Sequence, residues 1–96
     1  MIALINGLLI YKATSSVIVD ANGVGYRIFV PLTTFYTLPE INKPVTLHVY
    51  THVRPDAISL FGFGTGREKD VFELMLSVSG IGPRLAMNIL SGISAE

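Results

Sequence analysis

From Val45 to Arg54 the chain alternates without a break. Val45, Leu47, Val49, Thr51 and Val53 are apolar or β-branched, and Thr46, His48, Tyr50, His52 and Arg54 between them are polar or amphipathic. A period of two residues is the period of a strand, with one face on a core and the other on water or a ligand. Arg54-Pro55-Asp56-Ala57 follows as a turn, its proline presetting φ at the second position. Ala57 to Phe63 returns as the next strand. A chain of 96 residues holding such a hairpin must cover one face of it, with material for only a modest core.

The first half supplies more strands. Residues 2–11 read as a long one interrupted at Gly7, where a curved sheet is expected to bulge or bend. Lys12 to Ser16 is a polar turn, Val17 to Ala21 a second strand, and Asn22-Gly23 a strong hairpin signal. Val24, Tyr26, Ile28 and Val30 then alternate with Gly25, Arg27 and Phe29, until Pro31 ends the strand. Thr33 to Leu38 predicts about one helical turn, with Thr33 or Thr34 as its cap. Five or six short strands with one small helical insert predict a closed Greek-key barrel of the oligonucleotide/oligosaccharide-binding (OB) type.

Gly62-Phe63-Gly64-Thr65-Gly66 reads as a boundary between a barrel over residues 1–63 and a helical unit over 64–96. It fails as a dinucleotide loop, because position 67 is Arg where a third glycine is needed, and no Gly-Lys-Ser/Thr follows. Thr65-Gly66-Arg67-Glu68 is a capping box opening a helix. Its apolar positions Val71, Phe72, Met75, Leu76 and Val78 are expected inward, with Glu68, Lys69 and Glu73 in solvent. A second helix from Pro83 to about Leu90 is expected to bury Leu85, Ala86, Ile89 and Leu90 and to end at Gly92. The class is mainly β with α: an OB barrel followed by a pair of helices.

Between those helices lies Ser79-Gly80-Ile81-Gly82-Pro83-Arg84-Leu85-Ala86. Its glycines permit a tight connection, and Pro83 suits the first helical position, where an N–H would have no intrahelical partner. The free amides at a helix N-terminus coincide with the positive end of the helix dipole and suit a phosphate. Arg84 adds a full charge and a bidentate donor. An ordinary helical corner that binds nothing is the competing reading. The pattern Gly-x-Gly-x-x-x-Ala resembles the helix-hairpin-helix motif, which binds DNA backbone without reading sequence.

Charge neither advertises nor excludes nucleic acid: seven Lys+Arg balance seven Asp+Glu, so any DNA contact must come from local placement. Only 15% of residues are charged and 50% are hydrophobic. A small chain so poor in charge is expected to hide surface against a partner or against copies of itself. With no cysteine there are no disulfides or thiolate metal sites, as suits a reducing cytoplasm. Met1 to Ile10 lacks the basic start of a leader and is too short to cross a bilayer, so it reads as a buried strand. His48 and His52 on one strand stand about 13 Å apart, too far to share a metal without further ligands. Neither histidine lies in a nucleophile–base arrangement, so no catalytic set and no cofactor are implied. Asp56 beside Arg54 is expected to form a solvated ion pair.

Taken together, Gly23-Val24-Gly25-Tyr26, Pro31-Leu32-Thr33-Thr34-Phe35-Tyr36, Val53-Arg54-x-Asp56-Ala57, Leu60-Phe61-Gly62-Phe63 and Ser79 to Ala86 resemble the RuvA family across essentially the whole chain. The resemblance implies a non-catalytic subunit that binds four-way (Holliday) DNA junctions in recombination and repair. It implies a homotetramer, or two tetramers enclosing the junction, with the RuvB ATPase motor and the RuvC resolvase as partners of the full-length protein. Relatives carry a second helix-hairpin-helix and a motor-binding domain that this chain lacks. On the matching positions, Ser79, Gly80, Ile81, Gly82, Arg84 and Leu85 would hold phosphates, and Arg54 would approach backbone near the crossover. The family's paired acidic pin is reduced here to Asp56, because position 55 is proline. Leu4 and Asn6 stand where some relatives carry basic residues, so no basic contribution is expected there. Two other classes compete. One is a barrel for single-stranded nucleic acid, stacking bases on Tyr50, His48 and His52. The other is a DNA glycosylase, which would need an Asp or Lys close behind the hairpin, and none follows it.

Overall fold

The computed structural model describes residues 1–92, so the last four residues of the expected helical unit, 93–96, lie outside the described residues. Five strands and three helices follow in order: β1 (Leu4–Lys12), β2 (Ser16–Ala21), β3 (Val24–Phe29), α1 (Leu32–Phe35), β4 (Pro44–Arg54), β5 (Ala57–Phe63), α2 (Gly66–Leu76) and α3 (Pro83–Gly92). The strands close into a barrel in the order β1-β2-β3-β5-β4, with β4 pairing back onto β1. Every rung is antiparallel except the β3–β5 contact, a parallel pairing at Phe29 and Phe61. This is the expected OB barrel. Asn22 and Gly23 both take left-handed φ (54° and 87°), the backbone twist that a two-residue hairpin needs.

The barrel core is aliphatic, built from inward positions of all five strands, including Ile5, Leu9, Val19, Ile28, Leu47 and Val49. Gly7 lies at the wall of this core rather than at a bulge. The ladder slips instead between Leu9 and Tyr11, which leaves Ile10 as the extra residue. Gly7 is needed for close approach: a Cβ there would collide with the backbone oxygen of Asp20 on β2. Gly7→Ala must therefore spread β1 from β2, and we expect a loss of about 1–3 kcal/mol on chemical denaturation.

The alternation along β4 predicts too long a core face. Val45, Leu47 and Val49 are buried, Thr51 is half-buried and turns its hydroxyl to the Ile2 carbonyl (2.6 Å), and Val53 is exposed. Pairing nevertheless continues to Arg54 and Ala57, so the β4–β5 hairpin runs on past the end of the core.

The opposite face of β4 meets water only at its ends, Thr46 and Arg54; helix α2 covers its middle. Helices α2 and α3 together with the barrel wall create a second core of Phe63, Phe72, Ala86, Met87 and Leu90, with Tyr50, Phe61, Met75, Leu76 and Ile81 at its edge. The Phe72 ring lies 4.9 Å from Phe63 and 5.5 Å from both Tyr50 and Phe61, centroid to centroid. Val71, Val78, Leu85 and Ile89, expected inward, are exposed, while Met87 is buried. The helices are gripped between barrel and each other along a narrow strip, so a full apolar stripe is not needed to seat them.

The short insert is corrected as well. Helix α1 begins at Leu32, with Pro31 at the cap position and no side-chain cap bond. Thr33 and Thr34 instead donate their hydroxyls to Glu68 at the start of α2 (2.9 and 3.3 Å). The Gly64 N–H donates in turn to the Thr34 hydroxyl, and the Leu32 N–H to the Ser91 hydroxyl near the end of α3. Only half of the capping box forms: the Thr65 hydroxyl accepts from the Glu68 N–H, but the Glu68 carboxylate goes to α1 rather than back to Thr65 or out to solvent. One turn of helix thus brackets both ends of the α2–α3 pair onto the barrel. Among the described residues no helix is long and apolar enough to cross a membrane.

Candidate nucleic-acid interface

Helix α2 ends at Leu76, and the Ser77 hydroxyl folds back onto the Leu74 carbonyl. The chain then turns through Gly80, whose φ of 88° favours glycine. Ile81 pins the turn: its side chain packs against the second core and its N–H donates to the Val78 carbonyl at 3.2 Å. The N–H groups of Ser79, Gly80 and Gly82 have no acceptor among the described residues. Gly82 accepts the first bond of α3 from Ala86, and Pro83 is the first helical residue, so the amides of Arg84 and Leu85 belong to the donors a helix start leaves unpaired. A Cβ on Gly82 would meet nothing within 4 Å, so its small size serves no internal packing. Ala86, by contrast, is fully buried where α3 meets its neighbours.

The start of α3 faces the barrel across a cavity of about 800 Å³. Arg54, at the end of β4, and Gly82, Arg84 and Leu85 line it together, although thirty residues part them in sequence. Thr14 and Ser15 from the β1–β2 connection, Phe29 and Phe61 from the barrel wall, and His52 complete that side, and among the described residues no Asp or Glu lines it. Among the described residues neither arginine forms an ion pair; the pair present is Lys69–Glu73 at 3.9 Å. The expected Arg54–Asp56 pair is therefore not made. Asp56 stands exposed in the two-residue turn between β4 and β5, outside the cavity, and Ser79 and Gly80 lie beyond it on the α2–α3 turn. Two cations and free amides, with no carboxylate among the described lining residues, form a surface fit for phosphate.

Residues 1–62 match the family model described as RuvA N terminal domain. The chain belongs to that family. Three relatives, each named Holliday junction branch migration complex subunit RuvA, extend the likeness through the α2–α3 hairpin. The one from Geobacter sulfurreducens is 54% identical over 96 residues, 100% of this chain and 48% of the relative. The one from Syntrophotalea carbinolica is 59% identical over 95 residues, 99% and 48%, and the one from Syntrophus aciditrophicus 55% over 96 residues, 100% and 47%. The chain spans about half the length of these curated relatives.

Within this RuvA-family chain the other sequence candidates sort by burial. Tyr50 packs edge-on to Phe72 beneath α2, and His48 lies beside Gly66, so both are half-buried and the stacking face expected on β4 is largely covered. His52 alone of the three reaches the cavity, stacked on Tyr50 at 6.3 Å. Among the described residues no three His, Cys, Asp or Glu side chains gather to hold a metal. Sequence reasoning missed Phe29. The one local hint is a phenylalanine on the strand face otherwise given to Gly25 and Arg27, which does not by itself show what the ring will stand beside.

Proposed function

We propose that this chain is the junction-facing part of a Holliday junction branch migration subunit. The observation that carries this reading is the joint lining of one cavity by Arg54 and Arg84, with no carboxylate among its described lining residues. The barrel over 1–63 and the helical unit over 64–96 would each supply one arginine. Phosphates would bind the amides of Ser79, Gly80, Gly82, Arg84 and Leu85 with Ile81 anchoring the turn, and Arg54 would hold backbone nearer the crossover. Such contacts position DNA and carry no sequence information. Four copies would match four arms, singly or as two tetramers enclosing the junction, which accounts for the low charge of the chain. The subunit itself would be non-catalytic and cytoplasmic, with ATP hydrolysis in the RuvB motor and strand cutting in the RuvC resolvase.

Titration of this chain against a fluorescent four-way junction and a duplex of matched sequence, at low and moderate salt, tests the reading. The expected result is a junction preference, a steep salt dependence and a tetrameric mass. A tetramer that binds neither DNA, or both alike, overturns it.

Asp56 would be the acidic pin, one carboxylate per subunit. In a full-length subunit bearing this sequence, Asp56→Asn is expected to change the motor-driven branch-migration rate by about two- to fivefold through lost repulsion at the four-fold axis, with junction affinity equal or slightly higher. An unchanged rate removes Asp56 from that role.

A further inference from the structure

The cavity holds a chemistry that phosphate binding does not use. Phe29 and Phe61 face each other across the parallel β3–β5 rung, with ring centroids 5.8 Å apart. Phe61 is held from behind by Phe72 at 5.5 Å and edge-on by His52 at 6.3 Å. Phe29 packs against no other aromatic ring, and 37% of its surface is open. A single exposed phenylalanine is ordinary on a small protein. This one forms part of the wall of a concavity that also carries Arg54, Arg84, Ser59 and Asn88.

We propose, resting on the DNA-binding reading above, that this cavity receives one unpaired nucleotide of a DNA strand. The base lies against Phe29 and Phe61, and its flanking phosphates meet Arg54 on the barrel side and Arg84 on the helix side. About 800 Å³ is ample for a nucleotide. A nucleobase has an apolar face and a polar edge; the phenylalanines offer the first a surface, and Ser59 and Asn88 offer the second hydrogen-bonding groups. Two cations delivered by separate elements fit a base with a phosphate on either side, which a strand supplies and a free mononucleotide does not. A base inside a duplex would first have to leave its stack, and the cost is least where pairing is already broken, as at a branch point. The cavity would therefore favour an open crossover over a closed one, and it would do so without regard to sequence, since every base has a π-face.

The test uses two four-way junctions that differ in one feature. A 5-iododeoxyuridine at the crossover is paired with adenine in one and left unpaired in the other. The chain is expected to bind the unpaired junction about tenfold more tightly, and irradiation should cross-link the iodouracil to Phe29 or Phe61. Phe29→Leu should remove the tenfold preference. Equal affinity for the two junctions, or cross-links confined to other residues, overturns the proposal while leaving junction binding intact; so does a folded Phe29→Leu variant that keeps the preference. The cross-linking uses the unaltered chain, so it decides the matter even if the variant fails to fold. Failure to bind either junction removes the DNA-binding reading and this proposal together.

Discussion

Arg84→Glu is expected to abolish retention of a four-way junction at moderate salt and to leave the melting temperature where it was. Arg84 is exposed in the first turn of α3 and forms no ion pair among the described residues, so its loss removes no internal contact. Surface changes of this kind move stability by about 0.5 kcal/mol or less. Binding is another matter. The substitution deletes the proposed bidentate phosphate donor and puts a carboxylate at the helix start, against the anion proposed to bind there. Repeated in the four copies of the proposed tetramer, the change should weaken binding by ~100-fold or more and flatten the slope of log K against log salt. Arg84→Lys, which keeps the charge and gives up the planar fork, should fall between. Gel-shift titrations at three salt concentrations decide it. Unaltered affinity in Arg84→Glu would mean that DNA does not approach α3 at all.

Phe72→Ala has the largest expected effect on the fold. Phe72 is fully buried and its ring touches those of Tyr50, Phe61 and Phe63, so truncation opens a void between the barrel wall and both helices. Phenylalanine-to-alanine changes in such places cost about 3–5 kcal/mol. For a domain of this size that corresponds to a drop in Tm of more than about 10 °C. Scanning calorimetry checks the figure. If Phe72→Ala melts within a few degrees of the parent, the second core is not a structural unit. Leu74→Ala on the same helix is the natural control, since Leu74 is 70% exposed and should cost little.

The barrel was legible in the sequence because its signals are local. Strand alternation, the Asn22-Gly23 turn and the Pro55-Asp56 turn each depend on a few neighbouring residues, and the strands and turns form where these signals place them, although the core ends at Val49 while the alternation of β4 runs on to Val53. The packing of α2 and α3 was not legible in the same way. His48, Tyr50 and His52 are amphipathic, and nothing in the spacing decides whether such a face meets water or a helix. Glu68 shows the limit most clearly. Its place in Thr65-Gly66-Arg67-Glu68 predicts a local cap, but its carboxylate is taken by Thr33 and Thr34, more than thirty residues earlier. At the candidate interface the arginines and glycines were readable from the motif. Phe29 was not, because only the closed barrel sets it beside Phe61 and Arg54.

The bracket formed by α1 has a mechanical consequence. Gly64-Thr65-Gly66 has the composition of a hinge, yet Thr34 holds Gly64 on one side and Glu68 on the other, while Ser91 ties the far end of the helical pair to Leu32. A pull on Arg84 is resisted by these bonds before the hairpin can swing. It passes through α3 and α2 into the β4–β5 wall, which already bears Arg54 at its tip. The two arginines are thus points on one stiff arm, and tension at either is felt at the other as torque on the barrel.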